Sequence, residues 1–185
     1  MMLSSVLLVL LQVCSLQLMV VSKPACQLRG DLVQSLHHVL RDLGGDFPAH
    51  CLPYNNNISF PNSALPAASA NHPQCRRALW VVYESLSEAE LIFLNNDSPV
   101  GEGGVTWDDQ KLEDFQTRLN RLVEDGRCLS RVGDSVSPYF TNVTAVIEQQ
   151  ESTACGWSAL KRDLLWVLKS TLHDHRTCFT WLKAH

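Results

Sequence analysis

The chain has 185 residues, with 15 basic and 19 acidic side chains, a formal net charge of −4 and 45% hydrophobic residues. Acids and bases are interspersed and no basic run occurs, which excludes the footprint of a nucleic-acid-binding protein or of one held on an anionic membrane. The length is enough for one hydrophobic core but not for two ordinary domains.

Residues 1–22 carry no charge before Lys23 and centre on the apolar block Val6 to Leu11. That pattern predicts a secretory signal. Val20 and Ser22 suit the minus-three and minus-one positions of a signal-peptidase site, so residues 23–185 are expected to form the mature single domain. Gln12 and Gln17 interrupt the apolar run short of the roughly 20 residues a membrane span needs. No later segment is long and apolar enough to insert, so a secreted, extracellular protein with no membrane insertion after signal cleavage is expected. In that setting the sequons at Asn57, Asn96 and Asn142 are expected to be glycosylated and therefore at the surface, with Pro99 weakening the second.

Over residues 26–43, Leu28, Leu32, Leu36, Val39 and Leu43 recur at helical spacing, and Gly44-Gly45 ends the pattern. Residues 46–73 are then broken by prolines and asparagines, which predicts one long irregular connection. Cys75, Leu79, Val82, Leu86, Ala89 and Phe93 form a second and stricter helical seam. Thr106-Trp107-Asp108-Asp109 reads as a capped start with acids at the positive end of the helix dipole, and Leu112, Phe115, Leu119 and Leu122 supply the buried stripe as far as Gly126. Ser137-Pro138 predicts a cap with proline in the first turn of a short fourth helix carrying Tyr139, Val143, Val146 and Ile147. Trp157, Leu160, Leu164, Thr171, Phe179 and Leu182 predict a long fifth helix reaching nearly to the end. The class is all-α. A long first connection allows the first two helices to run parallel, as in up-up-down-down bundles of about five helices with crossover loops.

Cys14 lies in the signal, which leaves Cys26, Cys51, Cys75, Cys128, Cys155 and Cys178, an even number in a secreted chain. If the first two helices are parallel, Cys51 and Cys155 fall at one pole and the other four at the opposite pole. Cys51 then pairs with Cys155. A Cys26 to Cys128 bridge would tie down the flexible start of the chain and leave Cys75 for Cys178. The alternative for Cys75 is a free, buried seam residue.

Cys26, Cys51, Ile58-Ser59-Phe60-Pro61, Trp107-Asp108, Cys128, Tyr139-Phe140 and Cys155-Gly156-Trp157 together resemble the landmarks of type I interferons, over nearly the whole mature chain. The last helix is most similar to the fish members with four cysteines, whose two bridges match Cys26 to Cys128 and Cys51 to Cys155; Cys75 and Cys178 depart from that pattern. The resemblance implies a cytokine without cofactor or metal that bridges a class II cytokine receptor heterodimer and triggers JAK-STAT signalling and antiviral gene expression. Carried over by position, one receptor chain would meet Leu52, Lys161, Arg162, Leu165, Trp166 and Lys169. The other would meet the opposite side, on the second, third and fourth helices. Exposed Trp166 beside Arg162 has the composition of an interface hot spot; a core Trp166 with solvated bases is the competing expectation.

An enzyme is not expected, because no Gly-x-Ser-x-Gly, phosphate-cradling glycine loop, His-Glu-x-x-His or Cys-x-x-Cys occurs. His173-Asp174-His175 is a poor metal site, since residues two apart on a helix diverge, and His37-His38 fails similarly. Another helical cytokine or growth factor, or a secreted helical carrier of a small ligand, remains as the alternative.

Overall fold

The computed structural model describes residues 26–55, 58–68, 71–101, 103–130 and 136–182. The expected signal, residues 1–22, and Asn57 of the first sequon lie outside them. Among the described residues six α-helices follow in order: α1 Gly30–Arg41, the single turn α2 Leu52–Asn55, α3 His72–Asn95, α4 Asp109–Gly126, α5 Ser137–Ile147 and α6 Thr153–Asp174. Extended pairing among the described residues is confined to two isolated bridges, Arg29 with Thr180 and Val100 with Val105.

The long helices bury apolar stripes at helical spacing. In α1 the stripe is Val33, Leu36 and Leu40, whereas the expected Leu32 and Val39 are half-buried at its edge; Leu112, Phe115, Leu119 and Leu122 do so in α4 as expected. Trp157, Leu160, Leu164, Val167 and Leu168 do so in α6. At the centre Trp157 is fully buried, with Phe93 stacked on it at 4.8 Å and the Phe115 ring 5.6 Å from Phe93.

Boundaries differ from the sequence expectation where side-chain or long-range hydrogen bonds decide them. Helix α1 starts at Gly30 rather than residue 26, because Gly30 N donates to Thr180 O (2.8 Å) and Thr180 N to Leu28 O (3.0 Å). Helix α3 begins ahead of Cys75, with the Asn71 side chain accepting from Gln74 N and a proline in the first turn. Asp108, not Thr106, caps α4 by accepting from Lys111 N at 2.9 Å. The cap position of α5 is Val136, so Ser137 is already helical and its hydroxyl caps nothing. Helix α6 ends at Asp174 instead of continuing through Leu182. The chain turns at Arg176–Cys178 and doubles back, which buries Phe179 and leaves Leu182 exposed.

Three disulfides fix the helix directions. Cys26–Cys128 joins the start of α1 to the end of α4, Cys51–Cys155 joins the segment after α1 to the start of α6, and Cys75–Cys178 joins the start of α3 to the segment after α6. Their Cα separations of 5.8, 5.2 and 5.1 Å are ordinary for bridges. Helices α1 and α3 therefore both run against α6 and parallel to each other. The four long helices make an up-up-down-down bundle, with short α5 packed on α6.

The long connection between α1 and α3 is held by donors from the bundle. Arg77 of α3 donates to Ala64 O (3.2 Å) and Ser63 O (3.3 Å), Arg162 of α6 to Ile58 O (2.9 Å), and His175 Nε2 lies 3.3 Å from Pro66 O. These bonds satisfy carbonyls that would otherwise be stranded against the helices, which is the physical reason so long a loop can lie on the core. Among the described residues no helix is long and apolar enough to cross a membrane.

Candidate functional site

The period that buries Trp157, Leu160 and Leu164 turns Lys161, Arg162, Leu165, Trp166 and Lys169 outward on one ridge of α6. Trp166 is 37% exposed and Lys169 is exposed, so this tryptophan is a surface side chain rather than core. Leu165 is half-buried. Leu52, 58% exposed at the start of α2, is carried beside the start of α6 by the Cys51–Cys155 bridge.

Alongside this ridge the loop residues Ser59 to Asn62 form the far wall of a groove of about 620 Å³, with Arg162, Asp163 and Trp166 on the near wall. Phe60 anchors the loop wall, its ring 5.9 Å from Trp166 and edge-on to Tyr139 at 5.2 Å. Burial pushes the Tyr139 phenol well above its ordinary value, and the Asp163 charge adds to the shift. A smaller cavity of about 260 Å³ lies next along the ridge, between Phe47, Trp107, Lys161 and Leu165.

Lys161 and Arg162 are engaged within the molecule. The Lys161 ammonium donates to Gly44 O and Gly45 O, which follow α1, and lies 5.7 Å from the centre of the Trp107 ring. Both glycines take positive φ, +78° and +70°, the left-handed turn that a side chain resists. Burial lowers the Lys161 pKa, with the Asp46 charge opposing. Arg162 meets its neighbour Asp163 through two bonds, Nε to Oδ1 at 2.6 Å and Nη2 to Oδ2 at 2.9 Å, while Nη2 also reaches Ile58 O. The Asp163 hydrogen bond raises the Arg162 pKa against the effect of burial. The groove thus offers an aromatic wall and a cancelled ion pair, which suits docking.

Neither the Ile58-Ser59-Phe60-Pro61 run nor the spacing of the last helix signals that Phe60 and Asp163 line this groove. Adjacent helix residues ordinarily diverge, so an Arg162–Asp163 pair was not readable from spacing. On α3, Leu91 (48%) and Leu94 (72%) stand exposed; both lie off the Cys75 to Phe93 seam, a signal present in the sequence.

The histidines diverge. Exposed His173 pairs with Asp174 (2.6 Å) while His175 is buried against the loop. His37 and His38 meet edge-on at 5.9 Å. His50 does approach Cys51 and Cys155, but those sulfurs are bridged and offer no thiolate. Of the described sequons, Asn142 is exposed on α5, whereas Asn96 donates its amide to Ile92 O (2.9 Å) at the end of α3.

Residues 27–173 match the interferon alpha/beta domain family. Human (Homo sapiens) interferon alpha-21 is 25% identical over 164 residues, spanning 77% of this chain and 82% of that protein. Bovine (Bos taurus) interferon alpha-B is 23% identical over 147 residues, 72% of this chain and 74% of its own length. Among solved structures, zebrafish interferon 2 superposes with a TM-score of 0.64 at 26% identity, covering 80% of this chain and 99% of that one.

Proposed function

The chain belongs to the interferon alpha/beta family, cytokines rather than enzymes, and from that membership we propose that it is secreted and acts by bridging two class II cytokine receptor chains. Bringing those chains together activates their associated kinases and, through JAK-STAT signalling, antiviral genes. The mechanism is induced proximity and requires no cofactor.

The observation that carries this reading is the exposed Trp166 beside Phe60, on a ridge flanked by Leu165, Lys169 and Leu52. A partly exposed tryptophan with apolar neighbours and a peripheral cation is the composition of an interface hot spot with its rim. The first receptor chain meets this face. The second meets α3, α4 and α5, and on α3 the exposed Leu91 and Leu94 supply apolar surface. Asn142, exposed on α5, carries a glycan in the secreted protein.

The test is induction of antiviral genes and suppression of viral replication in cells of the source species. Trp166→Ala is expected to cost about 2 kcal/mol of receptor affinity, roughly a 30-fold loss of potency, with helix content unchanged. Full potency in a correctly folded variant removes this face from the function.

A further inference from the structure

We propose that the first receptor chain inserts one apolar side chain, aromatic or branched aliphatic, into the groove that Phe60 and Trp166 line, and that Arg162 serves this contact as a positioning residue holding the loop wall. The proposal rests on reading α6 as the receptor face and divides the labour among its residues.

Most of the guanidinium's bonding is directed inward. Three of its five N–H donors, those on Nε and Nη2, are spent on Asp163 and Ile58 O, and its carbon lies 5.5 Å from the centre of the Phe47 ring. The Asp163 side chain is 10% exposed, so a receptor carboxylate would have to displace a well-shielded, two-bonded partner to claim this cation. Asp163 offsets the arginine charge, so the groove carries no net charge beside its aromatic rings. An apolar anchor covers the exposed part of Trp166.

The loop wall is fixed at two points. Ile58, itself buried, is held through its carbonyl by Arg162, and Phe60 is held by the rings of Tyr139 and Trp166. Releasing the first point frees the wall without touching Trp166. Lys169 stands one turn further on, exposed and without an ion-pair partner among the described residues. It is the cation that meets a rim acid of the receptor.

The experiment measures antiviral-reporter dose-response in cells of the source species over a range of ionic strength, with NMR order parameters of the Ile58, Ser59, Phe60 and Asn62 amides, for R162A, D163N, W166A and K169E. R162A and D163N are both expected to lower these order parameters from the rigid value of about 0.85 toward about 0.6 and to lower potency together, although D163N keeps the arginine charge. W166A is expected to lower potency with the order parameter of Ile58 unchanged, and K169E to flatten the salt dependence. Loss of potency in R162A at wild-type order parameters, with D163N fully potent, overturns the positioning role and makes Arg162 a direct contact. Should R162A fail to fold, D163N decides alone: a more mobile loop with reduced potency supports the role, and wild-type behaviour in both overturns it. Full potency in both W166A and K169E sinks the reading of α6 as the receptor face, whatever the loop does.

Discussion

Replacing Cys75 and Cys178 together by alanine tests how much the third bridge contributes. The two cysteines are 103 residues apart, and chain entropy alone assigns a loop of that size about 4.7 kcal/mol at 25 °C. The other bridges shorten it. With Cys51–Cys155 intact, the covalent path runs about 24 residues back from Cys75 to Cys51, crosses the bridge, and runs about 23 residues on to Cys178. A loop of about 47 residues is worth about 4 kcal/mol. Cys178 is 5% exposed, so lost packing adds no more than about 1 kcal/mol. At about 2–4 °C per kcal/mol for a domain of this size, the double variant should melt roughly 8–16 °C below the parent. Thermal unfolding followed by circular dichroism, with peptide mapping to show the other two bridges formed, makes the measurement. A midpoint lowered by less than about 2 °C would refute the reasoning, because the bridge would then be constraining nothing in the unfolded chain.

Gly156→Ala should destabilise the fold by about 1–2 kcal/mol, since a Cβ there falls 2.8 Å from Ile147 N and 2.5 Å from its Cγ1, and overpacking at α5–α6 outweighs the helix propensity gained; urea unfolding checks it. Burial, then His38, Arg41 and Lys169, lowers the His37 pKa below its ordinary 6.5. The unfolded chain therefore takes up that proton first on acidification. Stability from His37 is present above 6.5 and is lost as pH falls from 6.5 through the lowered folded value. His37→Asn should accordingly reduce the drop in urea midpoint between about pH 7 and pH 5. Enzymatic removal of N-glycans from the secreted protein should convert Asn142 to aspartate by mass spectrometry, with occupancy at Asn96 lower because its amide is engaged and Pro99 follows.

The bundle was legible because apolar period and helix length agree over α1, α3, α4 and α5, and because Gly44-Gly45 and the prolines of the long connection mark real breaks. The end of α6 was misread for a physical reason. Phe179 and Leu182 fall in helical register with Thr171, but the Thr180 to Leu28 backbone pairing and the Cys75 bridge pull the chain back across the pole, and neither is encoded by local period. At the candidate site the outward ridge of α6 follows from spacing, so Trp166 and Lys169 were findable. The wall built by Ser59 to Asn62 was not, since its position depends on an arginine about a hundred residues later reaching one carbonyl. The same limit hid the engagement of Lys161 with Gly44 and Gly45.

The three disulfides interleave: each links the first half of the chain to the second, and their spans overlap. Any single peptide bond hydrolysed between Cys26 and Cys178 is consequently straddled by at least one sulfur link, and a cut between Cys75 and Cys128 by all three. An extracellular protease that nicks one exposed connection would leave a clipped molecule whose fragments cannot diffuse apart. It would migrate as one band until a reductant is added, and its opposed flanks would keep their spacing after the backbone has been severed.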